Sequence, residues 1–584
     1  MVGKVTEFWD NATPSGVAAS VVNQYSKFQD MRRGKTEELN ELRNYIFATD
    51  TTTTSNSELP WKNKTTTPKL CQIRDNLHAN YMAALFPNDN WFKWIAATED
   101  AALKSKAEVI EGYMKNKLHM GNFQTIVSRL LYDFIDNGNA FADCEFVDET
   151  HSDPETGEIV QGFVGPKAIR VSYHDLVFNP TAVNFASSPK FVRCVKSIGE
   201  LKAETISRPE LQYNHALIAH IDGSRKHYAT YEQADWDKAQ GYVADGFGSL
   251  QEYYGSGLVE IIEATGDFHD PNTGEFFHNQ IITIIDRNYV IRQINNPRWL
   301  KGSSIVHAGW RLRPDNLYAM GPLDNLVGMQ YRIDHLENLK ADVFDVIAHP
   351  PLLVQGDVDD FEWGPGVEIN MGEDGSVSML AVDGTALQAD MQIQTLMQYM
   401  EEMAGAPREA MGIRSPGEKT MFEVAQLQNA AGRIFQEKIT YFEKEVIDPL
   451  LNNMLEKARR NMQVSDLIRV LDDDIGVAEF MSITKEDITA AGKLVPVGAR
   501  HFAAQAQLMQ NLSGVFSSPV GQMIQPHTST KKLATMVEEV MGIEKFGLFQ
   551  ENVGVTENAE TQKMANASQE QVDVDAETDI QEDF

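Results

Sequence analysis

The chain has 584 residues, with 51 Lys and Arg against 84 Asp and Glu, and a formal net charge of −33. This acidity argues against tight, sequence-independent binding to nucleic acid, although it permits a protein that touches DNA while letting it slide. No run of 18 apolar residues and no apolar core of a signal peptide is present, so we expect a soluble chain of two to four domains with no membrane partner.

The N-terminal part is predicted to be mostly helical. An amphipathic pattern covers 1–48, and further helical patterns cover 68–85 and 99–137, with an aromatic turn at 86–95. A Gly-Lys-Thr triplet at 34–36 resembles the end of a phosphate-binding loop. The glycine required five residues earlier is absent and no strand precedes the triplet, so we reject a nucleotide site there.

From residue 139 the apolar pattern alternates, which predicts β-strands. Two Asp-Pro-x-Thr-Gly turns, at 153–157 and 270–274, are each expected to close a hairpin, because proline and glycine suit the turn positions. The polar stretch 203–255 between them is predicted to be irregular. The expected strands are 140–147, 158–164, 169–172, 176–179, 190–196, 259–268, 280–286 and 289–294.

Two helices with an insert between them come next. The first is predicted to run from Pro322 to Ile347, since proline is favoured at a first helical position and a Pro-Pro pair follows the apolar periodicity. The second is predicted at 386–404. The insert is expected to form a small module with strands at 352–354, 367–370 and 377–380.

A very long third helix is predicted to follow a Gly/Pro-rich loop. Ser415-Pro416-Gly417-Glu418 has the pattern of a capping box, and apolar periodicity continues to Arg460, over about 65 Å. Pro449 should perturb this helix because it removes a backbone hydrogen bond. Beyond it we expect strands at 466–471 and 475–482, helices at 499–512 and 529–541, and a disordered acidic tail from Glu551.

No residue pattern indicates catalysis, a cofactor or a metal. The paired carboxylates Asp359-Asp360 and the triplet at 472–474 lie in turn-like polar contexts, and His349, His501 and His527 lack ligands at metal spacing. An enzyme that uses scattered residues stays open as an alternative. The three cysteines are predicted to be reduced core thiols of a cytosolic protein: Cys71, Cys144 and Cys194.

The loop between the second and third helices carries Arg408, Arg414 and Lys419 in an otherwise acidic chain. One interpretation is a helical hairpin with solvated charges. The other is a basic loop directed at a phosphate backbone. Similarly, the long helix alone fits either the core of a large α+β enzyme or a component of an assembly.

The order of these elements resembles that of the portal, or head-to-tail connector, proteins of tailed bacteriophages, of the podovirus-like type. The resemblance extends over most of 15–545 and rests on short motifs combined with architecture. The stretches that carry it are Leu176–Pro180, Gly321-Pro322-Leu323, Gly405–Glu409 before Gly412–Arg414, the helix start with Thr420, Glu423 and Val424, and Asp448-Pro449-Leu450.

The resemblance implies an α+β portal fold that assembles as a ring of about twelve copies at one capsid vertex, with double-stranded DNA passing through its centre. It implies no enzymatic activity, because the large terminase subunit would supply ATP hydrolysis. Other implied partners are the tail adaptor, the major capsid protein and scaffold protein, and assembly would occur in the host cytoplasm. The implied regions are a wing at 1–321, stem helices at 322–348 and 386–404, a clip at 349–385, a tunnel loop at 405–418, a long wing helix with strands at 419–484, a crown at 485–550 and the acidic tail at 551–584.

The same resemblance assigns two sets of site residues. Arg408, Arg414 and Lys419 would lie nearest the DNA. The clip would contact terminase and adaptor through Val354, Asp359, Asp360, Phe361 and Trp363. The alternatives are a large cytosolic enzyme of unknown reaction and another oligomeric virion or scaffold protein.

Overall fold

In the computed structural model the chain is a mixed α+β protein, as predicted. The structure describes residues 16–87, 91–97, 101–152, 159–224, 235–236, 258–361, 367–380, 384–405, 434–462, 465–471 and 478–497. Two compact units divide the chain. One comprises Met1–Leu85, Trp94–Ser465 and Thr484–Pro496, and the other comprises Phe86–Lys93, Asp466–Ile483 and Val497–Phe584.

The N-terminal region is helical over most of its described length. Helix α1 is Gly16–Ile46 and α2 is Lys69–Leu85. Between them 3₁₀ turns occupy Thr51–Thr53 and Ser55–Glu58. The Gly-Lys-Thr triplet at 34–36 lies inside α1, which agrees with the rejection of a nucleotide site.

One prediction for residues 86–137 was wrong in detail: Phe92–Ala96 is a strand, β1, where an aromatic turn was expected. The segment 99–137 is helical as predicted and forms two helices, α3 (Ala101–Met120) and α4 (Phe123–Asp136). Asn122 separates them with φ of 53°, a left-handed conformation that asparagine tolerates better than most residues.

A three-stranded antiparallel sheet follows, in the order β3-β2-β9. Its strands are β2 (Asn139–Ser152), β3 (Ile159–Val171) and β9 (Val306–Gly309). The separate strands predicted at 158–164 and 169–172 form the single strand β3. Pro166 is tolerated within it because β3 is an edge strand, where a missing N–H need not break the ladder.

The larger sheet has five antiparallel strands in the order β4-β5-β6-β7-β8. One face packs on α1 through Val17, Val21 and Tyr25, and the other is partly covered by two helices. Those helices, α5 and α6, correct the prediction of irregular structure over its described part, 203–224, and the Ser197–Glu200 capping box starts α5. The bounds are β4 Leu176–Phe178, β5 Lys190–Ser197, α5 Ile198–Ser207, α6 His215–Ser224, β6 Leu258–His269, β7 Phe276–Ile285 and β8 Tyr289–Asn295.

A short hairpin, β10 (Arg311–Arg313) and β11 (Asn316–Met320), leads into the predicted helix pair. The first helix, α7, is Val327–Ala348 and follows a 3₁₀ turn at Asp324–Leu326, so Pro322 is not its first residue. The second, α8, is Asp390–Met403 and follows the 3₁₀ turn Gly384–Ala389.

The insert between α7 and α8 contains one described hairpin. Strands β12 (Leu352–Gln355) and β13 (Ser376–Met379) pair antiparallel, as predicted for the outer two segments. The third strand predicted at 367–370 does not form, and only an isolated bridge joins Val358 to Met371. Gly356 has φ of +82° and its Cα faces the Asp374 carbonyl so closely that a Cβ would lie 2.0 Å from that oxygen.

Of the predicted long helix, the part from residue 434 onward lies within the described residues. Residues 434–442 are α-helical, Glu443–Ile447 form a π turn, and α9 continues over Asp448–Asn461. The Asp448 N–H donates to the Glu443 carbonyl five residues earlier, and Pro449 follows at once. The predicted perturbation at Pro449 therefore takes the form of a π turn, a common way to accommodate a missing α-helical donor.

The remaining described elements are short. Strands β14 (Ser465–Leu471) and β15 (Ala478–Thr484) pair with each other, close to the predicted positions. Helix α10 (Lys485–Ile488) and strand β16 (Gly492–Pro496) follow. The helices predicted at 499–512 and 529–541, the capping box at 415–418 and the acidic tail lie outside the described residues.

Candidate functional site

A polar stripe on α7 is hydrogen-bonded to an extended segment, residues 61–67. The stripe repeats every fourth residue at Gln330, Asp334, Asn338 and Asp342. Asn338 Oδ1 accepts from the Thr65 N–H at 2.7 Å, and its amide donates to the Thr65 carbonyl at 2.8 Å. Because these are backbone groups of an extended segment that belongs to no sheet, the side chains of the helix supply the hydrogen-bond partners that a neighbouring strand would give.

The same arrangement continues along the helix in both directions. Asp342 accepts from the backbone N–H groups of Lys62 and Asn63, each at 2.9 Å. Toward the start of the helix, Gln330 donates to the Thr67 carbonyl at 2.6 Å. The part of α7 from Gln330 to Asp342, the base of the helix, is thus held against residues 61–67 by polar contacts over several turns.

Asp334 is the most buried carboxylate of this stripe. Its oxygens accept hydrogen bonds from the Thr67 N–H, the Thr66 hydroxyl and the Gln330 amide, at 3.0, 3.0 and 2.9 Å. Burial raises the pKa of Asp334 to about 6, and these hydrogen bonds only partly oppose the shift. Its ionisation therefore falls within a range that solution experiments can reach.

Helix α8 returns alongside α7 and is held by two ion pairs. Lys69 of α2 pairs with Glu401 in a buried contact. Lys340 of α7 pairs with Asp390, the first residue of α8, at 2.7 Å in an exposed contact. Ile393 and Met400, seven residues apart, are the buried apolar residues of α8, and most of its other residues are exposed.

Beyond this base the helix pair and its insert are largely exposed. Every residue of α7 from Phe344 to Ala348 is exposed, and strands β12 and β13 are exposed or half-buried throughout. Two-stranded hairpins are marginally stable alone in water, so this end of the pair lacks the packing that a core normally supplies.

Large apolar side chains are concentrated on this exposed part. Of the 24 exposed large hydrophobic residues in the part of the chain that the structure describes, 12 lie within 344–403. Soluble monomers rarely display such groups in a concentrated patch, and a concentration of them marks an interaction surface. The 12 are Phe344, Val346, Ile347, Leu353, Val354, Val367, Met371, Met379, Leu380, Met391, Tyr399 and Met403.

The charge of the same region is one-sided. Residues 341–407 include 13 Asp and Glu and no Lys or Arg. The nearest basic residues are Lys340 on one side and Arg408 on the other. This charge run was visible in the sequence but did not enter our prediction of the site.

The structure describes only part of the predicted site. Val354 and Asp360 are exposed, and Phe361 is half-buried. Asp359 is exposed and its N–H donates to the Asn370 carbonyl at 3.2 Å. The four others, Trp363, Arg408, Arg414 and Lys419, lie outside the described residues.

The polar stripe of α7 is the feature that sequence reasoning missed. Polar residues at a four-residue spacing are normally read as a solvent face, and their partner segment lies more than 260 residues away in sequence. Among the described residues, no three His, Cys, Asp or Glu are grouped to hold a metal ion.

No model of a known protein family matches the chain, and no curated protein matches it. Within the described ranges, no helix is both long enough and apolar enough to cross a membrane.

Proposed function

We propose that this chain is a portal protein, which forms a ring of about twelve copies and acts as a channel for double-stranded DNA at one vertex of a viral capsid. One observation carries the proposal: half of the exposed large hydrophobic residues in the described ranges lie on α7, α8 and the insert between them. Exposed apolar residues in such a concentration are normally buried by a binding partner.

A second copy of the chain is the binding partner that fits best. The exposed residues lie on α7, on α8 and on the insert between them, and the buried residues of α8 are only Ile393, Met400 and Glu401. Contacts between different faces of identical copies are heterologous, and such contacts close into a ring when the rotation between copies divides a full turn. A ring would bury the apolar residues that one copy leaves in water.

The charge of 341–407 supports a channel function within this proposal. About twelve copies would bring 13 acids each to the region formed by these helices. Acidic walls repel the phosphate backbone, so DNA would pass without adhering, because tight binding requires clustered cations. Arg408, Arg414 and Lys419 follow directly in sequence and would supply brief contacts with the phosphates.

The exposed hairpin β12–β13 would then be the docking platform. The large terminase subunit would bind there during packaging and provide ATP hydrolysis, and a tail adaptor would bind there afterwards. Val354, Asp359, Asp360, Phe361 and Trp363 are the proposed contact residues. The wing and crown would face major capsid and scaffold proteins.

The mass of the native assembly tests this proposal. Light scattering coupled to size exclusion should give about twelve times 65.4 kDa, and negative-stain images should show rings with a central hole. A monomer or dimer that is stable at micromolar concentration would contradict the proposal and favour a large enzyme. Filaments or shells without a hole would instead favour another virion or scaffold protein.

A further inference from the structure

Two adjacent loops of the first unit hold large apolar side chains in solvent. Residues 179–189 join β4 to β5, and residues 296–305 join β8 to β9. A Cβ added at Gly302 would lie 3.5 Å from the Ala186 carbonyl oxygen, so the two loops lie side by side. Val183 is fully exposed, Trp299 is 57% exposed and Leu300 is 67% exposed. We call these two loops the Trp299 tip.

The loop that carries Trp299 is fixed by its own hydrogen bonds. Arg298 Nη1 donates to the Lys301 carbonyl at 2.9 Å and to the Ser303 carbonyl at 2.6 Å. The Asn296 amide donates to the Gly302 carbonyl at 2.6 Å. Lys301 and Gly302 have φ of 55° and 66°, so the chain turns sharply just after the exposed pair.

Helix α9 holds the same loop from below. Arg298 Nη2 donates to Asn453 Oδ1 at 2.5 Å, and the Asn453 amide donates to the Ser304 carbonyl at 3.0 Å. The Trp299 N–H donates to Glu456 Oε1 at 3.2 Å. A loop that is already ordered loses less conformational freedom when a partner covers it, and tryptophan buries a large area there. The tip is therefore preorganised for a contact.

The charge of the tip differs from that of the rest of the chain. Neither 179–189 nor 296–305 contains Asp or Glu, although the chain has 84 acidic residues. Lys301 is exposed next to Leu300, whereas Glu456 below the loop is buried. The tip thus offers solvent an apolar surface with a positive charge at its side.

The surface formed by α7, α8 and their insert is complementary to the tip. It is also apolar, with 12 exposed large hydrophobic residues, and its charge is opposite, with 13 acids and no Lys or Arg over 341–407. Both surfaces are exposed in one copy, so they do not cover each other within it. Matched apolar areas of opposite charge favour one partner and one register.

We propose that the Trp299 tip of each copy docks on the acidic apolar surface of 341–407 of the next copy. This inference rests on the proposed ring and identifies the second face of its contact, because a heterologous contact needs two different faces. Trp299 and Leu300 pack on the apolar side chains of the neighbouring copy. Lys301 lies among its carboxylates.

Photocrosslinking of the full-length protein tests the contact directly. Trp299 is replaced by p-benzoyl-phenylalanine, and rings are assembled from an equal mixture of isotopically light and heavy chains. Illumination should join position 299 of a light chain to residues within 341–407 of a heavy chain. Rings whose crosslinks fall elsewhere, or only within one chain, overturn this inference and leave the proposed ring standing. A wild-type protein without rings overturns both.

Matched substitutions test the apolar and the charged part of the contact separately. Leu300→Ser and Lys301→Glu should each raise about tenfold the chain concentration at which half of the rings dissociate. Leu312→Ser and Arg313→Glu are the controls, because both residues are exposed on β10, outside the two surfaces, and they should leave that concentration unchanged. Equal losses in the controls, or intact assembly in both tip variants, overturn the inference.

A membrane is the other partner that an exposed Trp-Leu-Lys sequence fits, and vesicles distinguish it. The wild-type protein should not sediment with vesicles of phosphatidylserine, because the tip is covered by the next copy. Sedimentation that is lost in Lys301→Glu would assign the tip to a lipid surface and overturn the contact between copies.

Discussion

Lys69 of α2 and Glu401 of α8 form an ion pair with side chains only 7% and 5% exposed. It joins the N-terminal helices to the helix that returns from the exposed insert. Buried pairs contribute little over an apolar pair of similar volume, whereas loss of one partner is strongly destabilising because the remaining charge stays buried. The pair therefore makes α8 sensitive to substitutions at Lys69.

We expect Lys69→Met to lower the free energy of unfolding by about 3–5 kcal/mol, because the Glu401 carboxylate loses its buried counter-ion. The double variant Lys69→Met, Glu401→Met should recover most of this loss. Urea unfolding followed by circular dichroism measures both. Lys340→Met is the control: its partner Asp390 is 65% exposed, so the cost should stay below about 1 kcal/mol. Equal costs at Lys69 and Lys340 would contradict the burial argument.

Asp334 should make the anchoring of α7 depend on pH. Its pKa is raised to about 6 in the folded protein from a usual value near 3.8, so the fold favours the protonated form. The stability that this group contributes is full below about pH 4 and is lost as pH rises through 6. Asp334→Asn keeps the acceptor for Thr67 and can donate to the Thr66 hydroxyl. The free energy of unfolding of this variant, relative to that of wild type, should rise by about 2 kcal/mol when the pH is raised from 4.5 to 7.5.

Asp342 provides the control of opposite sign on the same stripe. Burial alone would raise its pKa, but hydrogen bonds from the Asn63 and Lys62 backbone outweigh burial and lower it. Its contribution is present at neutral pH and is lost as pH falls through its folded pKa. Asp342→Asn should therefore destabilise the protein more at pH 7.5 than at low pH. Parallel pH profiles for the two variants, from urea midpoints, would contradict the opposite directions of these two pKa shifts.

Much of the fold could be predicted from local patterns. The two Asp-Pro-x-Thr-Gly motifs and the alternating pattern located all strands of the two larger sheets except β9, because side-chain period and turn chemistry are local properties. Helix α5 was missed although Ser197 and Glu200 carry a capping-box signal, because the polar composition of 203–255 outweighed it. Strand β3 was predicted as two strands, whereas Gly165 and Pro166 lie within one strand at a sheet edge, a position that tolerates both residues.

The candidate site was less predictable. The partner of Asp334 is the Thr66–Thr67 backbone, and no local pattern links residues so far apart in sequence. The exposure of Phe344 and Met391 could not be predicted either, because both residues fit the apolar periodicity of helices that pack in a core. The one feature of this site that could be seen in the sequence alone is the absence of Lys and Arg from 341–407.

Phe344 tests whether the exposed apolar residues form contacts between copies. Phe344→Glu should shift the assembly toward smaller species, because a carboxylate would be buried at the contact. Phe276→Glu is closely matched, since both phenylalanines are 63% exposed and Phe276 lies on the five-stranded sheet. Light scattering should give the mass of the full assembly for the control variant and a smaller mass for Phe344→Glu. The circular dichroism spectra of both variants should match that of wild type. Intact rings in Phe344→Glu would exclude this residue from the interface.

Arg408, Arg414 and Lys419 test the proposed contact with DNA. Their joint replacement by alanine should leave rings intact, since assembly would depend on apolar burial, but should reduce the DNA retained in assembled heads. The reason is electrostatic: without these cations the acidic run 341–407 would lie beside the phosphates with no adjoining attraction. Alanine at Arg33, Arg313 and Lys444, which are exposed, removes the same charge elsewhere and should package like wild type. Full packaging by the first triple variant would show that these three residues do not contact DNA. Equal defects in the two triple variants would show that the effect comes from the change in net charge alone.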